Sequence, residues 1–263
     1  MKTAKIKYQE LVKDKRFEGK FYLNPNAANS RVVSNTSLEL KELSEFGKLF
    51  NPSIFKRQYC SKTSTSIEYK QSHDIIKLVN DSNTYLPKKQ VEDLNLSVHE
   101  GWILITGFGT VVGYAGLVDN NLNGTAFANN VTRLLVEDVK YVGYLTAFLK
   151  SKYGRSQINK NASGSAIRYI EAPGIGKTLV PIVNNELFKR INKNIIEVNQ
   201  LRNTAFESLQ KAKEVFTRYL DKIDTYKTIK NIDRVSIGSI NNSIQLRLNC
   251  NSFVNSTLTH LLF

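Results

Sequence analysis

Apolar positions follow two different patterns along the chain. From Asn184 to Ile223, Ile191, Ile195, Val198, Arg202, Ala205, Leu209, Ala212, Phe216, Tyr219 and Ile223 recur at alternating steps of four and three. This is a heptad seam, apolar except at Arg202 and unbroken by Pro or Gly. At 1.5 Å per residue it predicts a helix of roughly 60 Å, well beyond the usual globular length. Charged residues such as Lys193, Glu197, Lys211 and Arg218 occupy its other faces. So narrow a seam predicts a facing helix, and hence a spacer or coiled-coil arm; the plainer reading is a helix packed on its own domain.

The second pattern is strand-like. Between Gly101 and Val136, GWILITG, TVVGYAGLV and GTAFANNVTRLLV are short apolar runs set off by glycines and by a turn at Asn120-Asn121, which predict β-strands. Asp138 then reads as the cap of a helix with Tyr144, Leu145, Phe148 and Leu149 on one face and Gly154 as its stop. A polar linker, Gln157 to Ser165, leads through Ile167–Ile170 to a Gly/Pro loop at Ala172–Lys177, and Thr178–Val183 precedes the long helix. Upstream, KIKYQELV and GKFYL read as β-like, Asn26–Ser37 as turn-rich, Ser37–Phe46 as a short helix capped by Ser37, and 47–96 as irregular. Residues 232–263 again read as short β-like pieces. Arg247-Leu248-Asn249 before Phe253 echoes Arg16-Phe17-Glu18 before Phe21, the trace of a repeat. The expected architecture is an α/β (α+β) domain over 1–183, a long helix of coiled-coil type over 184–226, and a β-like C-terminal tail over 227–263.

Composition narrows the partners. The chain has 263 residues, 41% of them hydrophobic, enough to bury a core. Its 37 Lys and Arg against 23 Asp and Glu give a net charge of +14, which points to an anionic partner, nucleic acid before a membrane surface. No apolar run approaches the roughly 18 residues that span a bilayer. The N-terminal MKTAKIKYQELVKDKR lacks the apolar core of a signal peptide. Cys60 and Cys250 form no disulfide framework, which suits a reducing cytosol; the expected location is cytoplasmic.

Candidate chemistry mostly dissolves on inspection. Gly176-Lys177-Thr178 ends like a phosphate-binding loop, but Glu171 stands where the loop's first glycine belongs and strand-like sequence follows. Gly107-Phe108-Gly109-Thr110-Val111-Val112-Gly113 imitates a dinucleotide fingerprint with its last glycine one place late; a tight strand-to-strand turn explains it better. Asn51-Pro52-Ser53-Ile54 departs from the Asn-Pro-Pro-aromatic loop of amino-methyltransferases at both final positions. His73, His99 and His260 stand apart, with no metal-ligand spacing. The chain reads as a non-enzyme without catalytic residues, metal or cofactor. What remains is a binding signal. Between Tyr144 and Val180 lie Lys150, Lys152, Arg155, Lys160, Arg168 and Lys177 against one acid, Glu171, with Tyr153 and Tyr169 interleaved. Basic side chains neutralise phosphates, while Ser, Asn and backbone N–H groups reach phosphates or base edges.

The segment NASGSAIRYIEAPGIGKTLVPIV, beginning at Asn161, resembles the signature that closes a target-recognition domain in specificity subunits of type I restriction–modification systems. Gly164, Ser165, Ala166 and Ile170 match its Gly-Ser-Ala-x-x-x-Ile element, and Pro181-Ile182 matches the strand before the family's long helix. Phe127-Ala128-Asn129-Asn130-Val131-Thr132-Arg133-Leu134 and the Tyr144–Gly154 stretch are similar as well, so the resemblance covers about residues 40–223. Val183-Asn184-Asn185-Glu186 departs from the family's Pro-rich, Gln-containing lead into the helix. A full specificity subunit holds two recognition domains and two helices, each domain reading half of a bipartite site. With one of each, this chain resembles a half-subunit or a truncated form.

The resemblance implies a DNA-binding specificity subunit that directs a methyltransferase, and as a further partner a restriction/translocase subunit, to double-stranded DNA. S-adenosylmethionine is expected in the methyltransferase. The residues expected to touch DNA are Lys56, Arg57, Lys62, Lys88, Lys89, Asn130, Arg133, Lys160, Ser163, Ser165, Arg168 and Lys177. The seam of Ile191, Ile195, Val198, Ala205, Leu209, Ala212, Phe216 and Tyr219 is expected to pair two copies into a homodimer. The alternative is a coiled-coil adaptor that reads no sequence.

Overall fold

The computed structural model of the chain describes residues 5–6, 8–14, 22–77, 83–164 and 167–221. The β-like tail, its echo in residues 16–21, most of GKFYL, the last two positions of the seam helix, and Ser165 and Ala166 lie outside them. The chain divides into two compact units, Met1–Phe206 and Glu207–Phe263.

The first unit is a mixed α/β domain. Its central sheet has four antiparallel strands in the order β2 (Gly47–Phe50), β8 (Val131–Val136), β5 (Ile103–Thr106), β6 (Ala115–Leu117). Ile103, Ile105 and Leu134 face one core with Leu145, Leu149, Ile158 and Ile175, whereas Leu104 and Val131 face a second with Val98, Val118 and Phe127. Strands covered on both faces read as continuous apolar runs, which is why GWILITG was legible as a strand. A second sheet, β4 (Tyr85–Pro87), β3 (Ser66–Lys70) and β7 (Ala126–Phe127), encloses Tyr69, Leu86, Val91 and Leu96 with the helix α3 (Lys88–Asp93). β1 (Leu40–Glu42) pairs with β9 (Leu179–Pro181).

Several local expectations give way to tertiary context. KIKYQELV contributes to the helix α1 (Tyr8–Asp14) rather than a strand. The polar stretch after Asn24 is the helix α2 (Pro25–Ser34), capped by the Asn24 side chain with Pro25 at its first position. Its polar face hid it: Asn29 donates to Ser156 Oγ at 3.0 Å and Ser156 donates to Asn26 at 3.2 Å, so two polar helix faces bind each other. The helix expected over Ser37–Phe46 is replaced by β1 and a 3₁₀ turn, Leu43–Phe46, because residues 40–42 are captured by β9. The stretch 47–96, expected to be irregular, contains β2, β3, β4 and α3.

After Asp138, a 3₁₀ turn feeds α4 (Val142–Lys150), where Tyr144, Leu145, Phe148 and Leu149 are all buried. Gly154 is no stop. Ser151 ends α4 and caps α5 (Lys152–Asn161), accepting from the N–H groups of Tyr153 and Gly154. Gly154 lies inside α5 because a Cβ there would come within 2.4 Å of the Phe148 carbonyl oxygen. The expected polar linker is thus largely helix, and the Gly/Pro loop is the short helix α6 (Ala172–Gly176).

The long helix α7 runs from Asn185 to Asp221, 37 residues. Within the first unit one of its faces is docked. Phe188 and Ile191 pack on the main core, and Asn192 accepts from the Tyr144 N–H at 3.1 Å. Ile195 meets Ile75 and Leu104 around a cavity of about 30 Å³. Arg202, the one break in the apolar seam, donates to the Lys77 carbonyl at 3.0 Å, and Asn203 accepts from Asn121 at 2.8 Å. Ile191 and Ile195 are therefore not free to face a second helix; the domain's own core takes them. Val198 stays exposed, as do Leu209, Phe216 and Tyr219 in the second unit.

Candidate nucleic-acid interface

Antiparallel order brings four chain segments to one end of the central sheet: the end of β2, the start of β8, and both ends of the β5–β6 connection. Asn51 ties them. Its Nδ2 donates to the Asn129 carbonyl at 3.0 Å, and its Oδ1 accepts from Thr132 Oγ1 at 3.0 Å and from the Ala172 N–H at 3.2 Å. The Asn-Pro-Ser-Ile stretch is thus a structural knot. Gly107 donates to the Asn130 carbonyl, and Gly109 (φ +81°) and Gly113 (φ +80°) turn the chain from β5 into β6 with left-handed backbone. The glycine-rich stretch connects two antiparallel strands, as expected, but it is longer than a tight turn. It runs from Thr106 to Ala115, holds a 3₁₀ turn at Gly109–Val111 and pairs at Phe108 with Tyr169.

Three residues beyond the knot, Ile54 is 91% exposed at the start of a basic loop. That loop is tied to α3 through Gln90, which donates to the Lys56 carbonyl at 2.9 Å and accepts from the Gln58 N–H at 3.1 Å. Cys60 and Lys88 add backbone bonds to Tyr85 and Thr65. Lys56, Arg57, Lys62, Lys88 and Lys89 therefore share one exposed neighbourhood. Arg57 Nε donates to the Tyr69 hydroxyl at 2.7 Å, which holds the guanidinium above its ordinary pKa; burial raises Tyr69 as well. Lys62 lies over the Tyr85 ring at 6.0 Å, and Lys88 is 3.7 Å from Glu92.

A second neighbourhood joins the β5–β6 turn to the segment after α5. Arg155 stacks on Tyr114 at 3.6 Å, and Asn159 donates to the Val112 carbonyl at 2.9 Å. Lys160 sits half-buried in the last turn of α5, Ser163 is exposed, and Arg168 is half-buried with its guanidinium donating to the Asn159 carbonyl. Asn130 keeps a buried Oδ1 without a hydrogen-bond partner. Ser165 lies outside the described residues. Lys177 is exposed but stands past α6, where Gly176 nears Ser44, away from this cluster. Lys150 faces Arg202 of α7; burial, then that neighbouring charge, lowers its pKa.

Arg133 must be corrected. It is fully buried, with its guanidinium donating to the carbonyls of Ala128 (2.9 Å), Val131 (2.5 Å), Leu96 (3.1 Å) and Phe127 (2.8 Å). Burial pushes its pKa down to about 9, so it remains charged at neutral pH, but it cannot reach a phosphate. It holds the 127–131 turn from beneath. Side chains that single-residue reasoning passed over are Phe108, 45% exposed, and Tyr59, 58% exposed; an aromatic isolated between two turn glycines was the available signal for Phe108.

Thr178 is fully buried and β9, not a helix, follows it, so Gly176-Lys177-Thr178 has no helix N-terminus to offer a phosphate. Among the described residues no three His, Cys, Asp or Glu gather as metal ligands, and no helix is long and apolar enough to cross a membrane.

No protein-family model and no curated protein sequence matches the chain. Solved structures do. The type I restriction–modification system S subunit from M. genitalium is 15% identical, covering 75% of this chain and 51% of its own, with a TM-score of 0.46. The HsdS subunit from Thermoanaerobacter tengcongensis is 14% identical over 77% and 47%, with a TM-score of 0.42. The type IIG restriction endonuclease BpuSI is 10% identical over 72% and 30%, with a TM-score of 0.48. The chain spans about half the length of the two subunit structures it is similar to.

Proposed function

We propose that this chain is a non-catalytic, sequence-specific DNA-recognition subunit that brings a methyltransferase to its site. The observation that carries the reading is the exposed basic neighbourhood of Lys56, Arg57, Lys62, Lys88 and Lys89. Its loop leaves the central sheet just past Asn51, the residue that binds the end of β2 to Asn129 and Thr132 at the start of β8. Ser163 is exposed in the second neighbourhood. The lysines supply salt-dependent phosphate contacts, and the amide and hydroxyl side chains supply hydrogen bonds to base edges. The order of elements that the family resemblance implies, a Pro-containing strand and then a long helix, is the order of β9 and α7.

Assembly falls to α7. Two copies pair through the exposed Leu209, Phe216 and Tyr219, giving a two-fold complex and a bipartite site. An open groove of about 920 Å³, lined by Tyr141, Ile182 and Phe188 together with Lys140, Lys189 and Lys193, lies at the start of α7. Methyl transfer, with its S-adenosylmethionine, and any cleavage reside in partner subunits. The exposed α7 stripe also suits a coiled-coil adaptor that reads no sequence, so one experiment must separate the two.

Selection of the full chain against duplexes with randomised centres, at rising salt, does so. Recognition predicts an enriched interrupted motif, and Lys56→Ala, Lys62→Ala and Lys88→Ala should each lower the slope of log affinity against log salt by about 1. Binding with no enriched sequence would leave the adaptor.

A further inference from the structure

We propose that Phe108 and Tyr169 form an apolar wedge that enters the base stack of duplex DNA and opens one step of it. The inference rests on the DNA-recognition reading above. The two residues face each other across a short antiparallel ladder. The Ile170 N–H donates to the Gly107 carbonyl and the Gly109 N–H to the Arg168 carbonyl, each at 2.8 Å. These bonds flank the pair rather than join it. That is the close, non-hydrogen-bonded kind of cross-strand pair, whose side chains stand together on one face. On its other edge Tyr169 exchanges both backbone bonds with Ser163 at 2.9 Å, so three chain segments hold the platform.

The ladder's two faces differ. Ile170 enters the main core and Arg168 is tied to Asn159, which anchors the inner face. The outer face presents Phe108 and Tyr169, 45% and 49% exposed. Gly107 keeps the segments in contact, since a Cβ there would lie 2.5 Å from the Ile170 carbonyl oxygen. An apolar projection on so braced a support is pre-organised to bind.

Charge selects the occupant. Of the basic residues between Tyr144 and Val180, Arg155 lies on Tyr114 beside the β5–β6 turn, and Lys160 and Arg168 flank Asn159, which is bonded to that turn. Cations so close to the platform suit phosphates beside an inserted ring. Apolar wedges flanked by cations and amides are the means by which proteins unstack and kink a duplex.

The test uses the full chain and the duplex it selects most tightly, with donor and acceptor dyes at the duplex ends. Wild type should shorten the end-to-end distance on binding. Phe108→Ser and Tyr169→Ser should each weaken binding roughly tenfold and abolish the shortening. The salt slope should stay unchanged, because no charge is removed. Tyr169→Phe, which keeps the ring, should retain affinity and bend. Serine variants that bind and bend the duplex like wild type, or loss of the bend in Tyr169→Phe, would overturn the wedge and leave sequence recognition standing. A wild-type chain that binds no duplex would overturn both.

Discussion

Arg133 places a full charge where water does not reach, and its partners are four carbonyl oxygens rather than a carboxylate. Charge-assisted bonds to neutral acceptors offset the cost of burial only while all are made. Arg133→Met keeps much of the volume but leaves buried carbonyls short of donors, so it should destabilise the fold by about 2–4 kcal/mol in denaturant titration. It should also weaken DNA binding through the disordered 127–131 turn rather than through a lost phosphate contact, leaving the salt slope of the remaining affinity intact. Nothing in the sequence distinguishes such an arginine from a surface one. VTRLLV reads as a strand with a basic residue in it, and only the β5–β8 pairing turns that residue inward beside Leu96 and Phe127. Lys56 and Lys62, by contrast, lie in a loop outside any periodic apolar run, and both are exposed.

The elements most legible in the sequence were those whose periodicity is set by burial on a single partner. β5 and α4 stood out for that reason; α2 and α5 did not, because hydrogen bonds between their polar faces replace the apolar stripe that periodicity detects. The seam of α7 was legible as a helix but ambiguous in what it faces, since a heptad looks alike whether the partner is another helix or its own domain. Its two parts should therefore respond differently to charge. Leu209→Glu with Phe216→Glu should abolish self-association in light scattering and leave the melting temperature unchanged. Ile195→Glu should lower the melting temperature markedly, by placing a carboxylate against Ile75 and Leu104. Equal loss of association from both, without destabilisation, would show that the docked face had been misassigned.

For the molecule as a whole, Tyr144 ties much of the first unit together. Its N–H meets Asn192 of α7, its hydroxyl donates to the Pro181 carbonyl of β9, and its ring lies 5.3 Å from Phe188. Burial pushes its pKa up to about 12 from an ordinary 10. Because the folded state favours the protonated phenol, this contribution to stability is complete below pH 10 and is lost as the pH rises from 10 towards 12. Tyr144→Phe should flatten that part of the stability profile in urea titrations across the alkaline range, at the expense of one hydrogen bond. The Asn51 knot has a consequence of another kind. It lies beneath the loops whose tips face outward, so the tips can be rewritten while the knot stays as it is. A library that randomises Ser53–Ile54 and Thr110 but holds Asn51, Gly107 and Arg133 constant would vary the lettering without touching the type bed, and new specificities should emerge from it without a matching loss of foldable clones.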